Sequence, residues 1–228
     1  NGSSGSEIAQ LLFDNGVVKS AEVFFRLAVG DKRSEKIAPG NNRISQNISA
    51  RQALEQLLDS DRIPNLIRIY EGGWKSEVIT ALVAYGFTKA DVSRAIASAA
   101  LPKGFKDSEG LLFPAQYTFA SGTSAAQAVQ AMIDRFIAEP IALALMTGDK
   151  EFSAMQLLTI ASIIQAEGNE KDFGKVSQVI RNRLKIGMPL QMDSTVHFVK
   201  KVRGEIFLSS KSTLINSPYN TYKRYGLP

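Results

Sequence analysis

The stretch "SEIAQLLFDNGVVKS" at residues 6–20 returns further along the chain as "SEVITALVAYGFTKA" at 76–90. Ser6 matches Ser76, Glu7 matches Glu77, Leu12 matches Leu82, Gly16 matches Gly86 and Lys19 matches Lys89. In both copies apolar residues recur at helical spacing and stop at the glycine, which predicts a helix, a short turn and a second helix. The second helices are expected at 21–29 and 89–99. "NLIRIYEGG" (65–73) reads as a strand entering the second copy, and "RISQNIS" (43–49) as a strand leaving the first. The pattern predicts duplicated strand–helix–helix–strand units.

Further helix starts are marked by capping boxes, in which a Ser hydroxyl and a Glu or Gln three residues on satisfy each other's free amides. They occur at Ser4/Glu7, Ser49/Gln52, Ser124/Gln127 and Ser153/Gln156, with a weaker version at Thr88/Asp91. Long helices are expected over 124–146, 153–167 and 174–186. "SEGLLFPAQYTF" (108–119), interrupted by Pro114, and "MPLQMDSTVHFVK" (188–200) read as extended. The fold class is therefore α+β, helix-dominated, with short sheets.

At 228 residues, 44% hydrophobic and 21% charged, the chain can bury a core without staples. It has no cysteine, which excludes disulfides and thiolate metal sites, and its lone histidine, His197, excludes a histidine cluster. The net charge of +5 is scattered; its densest run, "KKVR" at 200–203, has no aromatic stacking motif beside it, so no nucleic-acid partner is expected. No apolar run is long enough to span a bilayer. The opening "NGSSGS" has the look of an expression scar, although the capping box at Ser4 argues for native sequence there.

One acid stands out. Glu167 ends an apolar helix just before Gly168, on the side carrying Ile160, Ile163 and Ile164. Helix C-termini favour cations, and burial disfavours charge, so both would favour the protonated carboxyl that a general acid needs. The plain alternative is a last-turn residue fraying into solvent. Glu170 and Asp172 could form a paired-carboxylate or oxygen-ligand metal site with it, though their simpler role is a solvated turn capping the next helix. Glu109 and Asp193 are further acids whose proximity spacing does not fix. His197, in "TVHFV", reads as a half-buried strand residue. Trp74 and the Tyr219/Tyr222/Tyr225 set suit either a core or stacking on a sugar.

Taken together, the motifs resemble the endolytic murein transglycosylase (YceG-like) family of glycan-strand terminases. "GSSGSEIAQLLFDNGVVKSAEVF" is similar to its N-terminal LysM-like unit, and "YEGG" to its "EG" turn. "EGLLFPAQY", "TIASIIQAEGNEKDFGKVSQVIRNRLKIGMPLQMDSTV" and "YNTYKRYGLP" resemble three further family blocks in the right order. The resemblance implies a LysM-like subdomain over 1–62 and a catalytic domain over 63–228, with a second LysM-like repeat at about 65–100. It places the catalytic glutamate on Glu167 and substrate-binding groups on Gln191, Asp193, Asn220 and Tyr222; Asn182 and Arg183 would brace their helix. Three departures stand against it. Gln165 occupies a position often acidic, "PAQY" lacks the usual Asp-Thr pair, and "DSTVHF" has Ser194 where proline is common. The chain also stops at "GLP", where the family continues.

The implied chemistry needs one carboxyl group. It protonates the oxygen bridging N-acetylmuramic acid and N-acetylglucosamine, then takes the proton of the muramyl C6 hydroxyl as that oxygen closes onto C1 in a 1,6-anhydro ring. Hydrolases of the usual kind need two carboxylates. No metal or cofactor is implied. The implied partners are peptidoglycan strands, peptidoglycan synthases and the cell membrane, through an N-terminal transmembrane helix absent from these residues, with the enzyme on the extracytoplasmic face. The competing expectation is a non-catalytic glycan-binding or scaffolding module; a third is an unrelated α+β interaction domain.

Overall fold

The structure is a computed structural model that describes residues 4–38, 40, 42–64, 66–203 and 208–228. Its residues fall into two compact units. The first comprises 1–70, 76–97 and 114–128, and the second 71–75, 98–113 and 129–228. Among the described residues no helix is long and apolar enough to cross a membrane.

In the first unit the repeat is realised almost bond for bond. Helices α1 (Gly5–Asp14) and α2 (Ala21–Gly30) form one pair, and α4 (Lys75–Tyr85) and α5 (Lys89–Ser98) the other. After α1, Gly16 donates to the Phe13 carbonyl and Val17 to that of Leu12; after α4, Gly86 donates to Val83 and Phe87 to Leu82. Both glycines have positive φ, +68° and +127°, which a side chain would resist. Leu12 and Leu82 are buried at equivalent positions. The first pair closes over α3 (Ala50–Leu58), with Phe24, Ala53, Leu54 and Leu57 in its core.

The second pair lies between β1 (Ile67–Arg68) and β2 (Gln116–Tyr117), which pair antiparallel with Ile67 opposite Tyr117. This gives a strand–helix–helix–strand unit, with strands of two residues each rather than the long runs expected; Asn65 lies outside the described residues. No strand forms at 43–49. The donors there are spent elsewhere: Ser45 N–H on the Gln56 side chain, Asn47 and Ile48 N–H on the carbonyls of the Gly16–Val17 turn.

The long helix expected over 124–146 divides into α6 (Ala125–Ala138) and α7 (Pro140–Thr147). Pro140 has no N–H to continue α6, but its fixed φ suits the first position of α7. In the second unit, α8 (Ala154–Glu167) packs on α9 (Phe173–Lys185). Ile160 and Ile163 of α8, Ile180 of α9, and Leu190 and Met192 of the connecting segment make the core. The capping boxes at Ser4, Ser49 and Ser153 form as reciprocal bonds, as does the pair Ser124/Gln127.

A further expectation is overturned in the second unit. Residues 188–192 form a connecting segment without strand pairing, and Asp193–Lys200 is a helix, α10, so His197 is a helical residue and not a strand residue. The β-branched Thr195 and Val196 suggest a strand by propensity, but tertiary bonds take up the amides of the N-cap Met192 and of Ser194 and fix the helix.

Candidate active site

The end of α8 answers why an acid sits in its last turn. Glu167 is half-buried, and its Oε1 accepts a 2.8 Å hydrogen bond from the backbone N–H of Ser194, in the first turn of α10. The negative end of one helix is thus met by the positive end of another, and the carboxylate lies where they meet. It is neither in the hydrophobic core nor frayed. Ile160 and Ile163 hold the helix beneath it.

Asp193, the first residue of α10, accepts a short hydrogen bond from the Tyr222 hydroxyl. That phenol is pushed up to about 12, by burial first and then by the Asp193 carboxylate it donates to. The charge of Glu167 pushes the same way and Arg183 opposes it, so all four groups share one locality. Arg183 also donates to the Leu190 carbonyl, bracing the segment that leads into α10.

Gln191 is exposed and has φ +49°, unusual for a residue that is not glycine, and its N–H bonds the Thr221 carbonyl. A non-glycine residue held there stores strain of about 1–3 kcal/mol, a feature typical of functional sites. Asn220 is placed differently from the expectation. It is fully buried, and its side-chain amide donates to the carbonyls of Thr213 (2.9 Å) and Ile215 (2.7 Å). It shapes the tail that carries Tyr222, whose N–H bonds its Oδ1. Glu167, Asp193 and Tyr222 are therefore brought together, Gln191 lies on the adjoining strained turn, and Asn220 acts beneath them.

Sequence reasoning passed over two residues. Thr195 and Thr221 are buried, their hydroxyls 2.9 Å apart, and between them they satisfy both backbone groups of Met192. Their signal was present, since Thr221 sits inside "YNTY", but a buried threonine pair is invisible until the tail is folded against α10. Asn182 behaves as a helix residue, accepting from Gln178.

Of the other acids, Asp172 is the N-cap residue of α9 and ends the turn from Asn169, its carboxylate accepting from Asn169 and Lys175 rather than from the helix amides, and Glu109 accepts from the Lys75 N–H. Among the described residues no group of His, Asp and Glu is placed to hold a metal ion. A broad concavity of about 990 Å³ lies in the first unit, walled by Ile8, Leu11, Phe24, Phe25 and Val29. Size alone would nominate it. Glu35 is the one carboxylate among the described residues lining it, and no acid–base set converges there, so the chemistry points to Glu167 instead.

Comparison with known proteins agrees on where this chain belongs. The model of the family described as YceG-like matches residues 1–228. The chain is 31% identical to an endolytic murein transglycosylase of Bacillus subtilis (strain 168), covering 100% of this chain and 69% of that protein. It is 33% identical to an endolytic murein transglycosylase of Streptococcus pneumoniae over 52% of this chain, spanning 22% of that larger protein. The crystal structure of a YceG-like protein from Listeria monocytogenes matches with a TM-score of 0.62 at 29% identity, covering 100% of this chain and 82% of that one.

Proposed function

This chain belongs to the YceG-like family, and from that premise we propose that it is a lytic transglycosylase that cuts peptidoglycan strands internally, with Glu167 as its acid and base. The observation that carries the reading is the fixed carboxylate at the meeting of α8 and α10, held by the Ser194 amide. The names of the relatives supply the class of reaction.

In the proposed reaction Glu167 protonates the oxygen bridging N-acetylmuramic acid to N-acetylglucosamine, and that bond breaks. The muramyl C6 hydroxyl oxygen bonds to C1 and returns its proton to Glu167, so the site ends as it began. Charge develops on the sugar as the bond breaks, and the carboxylate left behind stabilises it. The Ser194 amide keeps Glu167 aimed through both steps. Asp193 is tied to Tyr222, and the pair orients the sugar beside the acid; Gln191 presents an exposed amide at the same edge.

A second reading, hydrolysis, is favoured by one observation: Asp193 puts a second carboxylate near Glu167, and two carboxylates suffice to activate water. The products decide. Uncrosslinked glycan strands are digested and the new ends identified by mass spectrometry, for this chain and for Glu167→Gln. Anhydro ends that vanish in Glu167→Gln support transglycosylation; reducing ends support hydrolysis; no ends with strand binding retained favour a non-catalytic binding module.

We further propose that the helix pairs of the first unit are LysM-like glycan-binding elements. The strand–helix–helix–strand order of β1, α4, α5 and β2 supports this. The proposed setting is the extracytoplasmic face of the cell membrane, beside peptidoglycan synthases and held by a transmembrane segment outside these residues.

A further inference from the structure

The tail after Ser217 runs antiparallel along α10, and three contacts give its register. Tyr222 meets Asp193, Thr221 meets Thr195, and Tyr219 meets Phe198. Glu167 is anchored at the first end, by Ser194. Phe198 lies four residues beyond Ser194, on the same side of the helix and about 6 Å further along its axis. That rise is on the scale of a single sugar ring.

At the far end three rings form a wall. Phe198 packs against Tyr219 with centroids 5.2 Å apart, and edge-on against Trp74 at 5.6 Å. Arg203 lies over the Trp74 ring at 4.1 Å and donates to the Gly72 carbonyl at 2.7 Å. Gly72 in turn sits against the side chain of Gln165, on the helix that ends in Glu167. The back of the wall is therefore fixed to the two elements that carry the acid. Tyr219 is 45% exposed, while Phe198 and Trp74 are half-buried. Among the described residues nothing hydrogen-bonds the Tyr219 hydroxyl.

We propose that Tyr219, backed by Phe198 and Trp74, is a stacking subsite for the N-acetylhexosamine ring next to the bond that Glu167 cleaves. This rests on the glycan-cleaving reading above and extends it. The C–H face of a pyranose is apolar and slightly positive, and suits the negative face of an aromatic ring, while the phenol bonds a ring substituent. An exposed tyrosine on a rigid backing gives this contact with little ordering cost. The strand would then lie along α10, from Asp193 and Tyr222 at the acid to Tyr219 one turn on.

Trp74 is the sole tryptophan, so its fluorescence reports on the wall directly. Glu167→Gln is titrated with uncrosslinked peptidoglycan strands, and with β-1,4-linked N-acetylglucosamine oligomers, following Trp74 emission and the heat of binding. The expected result is saturable binding, weakened about tenfold by adding Tyr219→Ala and within about threefold of the parent for Tyr219→Phe. On the active chain Tyr219→Ala should raise KM and leave kcat within about threefold, the signature of a binding contact. Equal affinity of Tyr219→Ala and its parent, or no strand binding at all, would overturn the subsite. A chain that binds strands through Tyr219 but releases no new ends would leave the subsite standing and refute the cleavage reading instead. A chain that releases anhydro ends with affinity indifferent to Tyr219 would do the reverse.

Discussion

Replacing Thr221 with valine should destabilise the second unit more than the same change at Thr195, for reasons visible in four hydrogen bonds. The Met192 N–H donates to Thr221 Oγ1 at 2.9 Å; the two hydroxyls lie 2.9 Å apart; and Thr195 Oγ1 donates to the Met192 carbonyl at 2.7 Å. The loop closes on itself and is buried. Thr221→Val keeps the volume, so it opens no cavity, but it strands the Met192 amide without an acceptor, at a cost of about 2 kcal/mol. Thr195→Val strands less. The Thr221 hydroxyl, already 3.4 Å from the Met192 carbonyl, can turn to serve it, leaving a cost of about 1 kcal/mol or less. For a chain of this size Thr221→Val should lower Tm by about 4–8 °C. The double variant should cost less than the sum, since both changes break one loop. Urea unfolding followed by Trp74 emission reads this unit, because Trp74 belongs to it. A Thr221→Val variant as stable as the parent, or less affected than Thr195→Val, would refute the network.

Ser194 holds Glu167 through its backbone N–H, so a change confined to its side chain leaves that hydrogen bond in place. Ser194→Ala keeps that amide and removes a buried hydroxyl that has no partner among the described residues, so its Tm should not fall. Tyr222, raised to about 12 from an ordinary value of 10.0, adds stability that is complete below pH 10 and lost as pH rises through about 12. Absorbance titration should therefore show one phenol ionising late, missing in Tyr222→Phe and only partly lowered in Asp193→Asn, since burial is the larger cause. Gly110 has φ +80° and a Cβ there would stand 3.0 Å from Leu158, so Gly110→Ala should cost about 1–2 kcal/mol by urea unfolding. Gly30 has neither constraint, and Gly30→Ala should add about 0.4–1 kcal/mol.

Local chemistry made much of this fold legible before any coordinates. A capping box names its own partners within four residues, and those at Ser4, Ser49 and Ser153 formed as read. The repeat was legible for the same reason, because Gly16 and Gly86 each stop a helix by a bond to the preceding turn. What was missed depends on distant residues. The segment 193–200 looks extended by its β-branched residues, yet α10 forms because Glu167 and Thr221 supply partners from elsewhere in the chain. Pro140 was a local signal that the apolar periodicity of 124–146 concealed. The site divides along the same line. Glu167 could be singled out from its place on an apolar stripe, but the helix end facing it could not. Asn220 carries the right chemistry for a sugar ligand and is spent on two carbonyls of its own loop. Tyr219 belonged to a set of tyrosines that spacing alone could not sort into core and surface.

In the proposed reaction one carboxyl group works with a hydroxyl of the substrate rather than with water. Strand digestion in water labelled with heavy oxygen tests it most directly, with the new ends weighed by mass spectrometry. Unlabelled anhydro ends, absent from the Glu167→Gln digest, are the expected result. New ends carrying the label at C1 would contradict it, and would make Asp193 the partner that activates water.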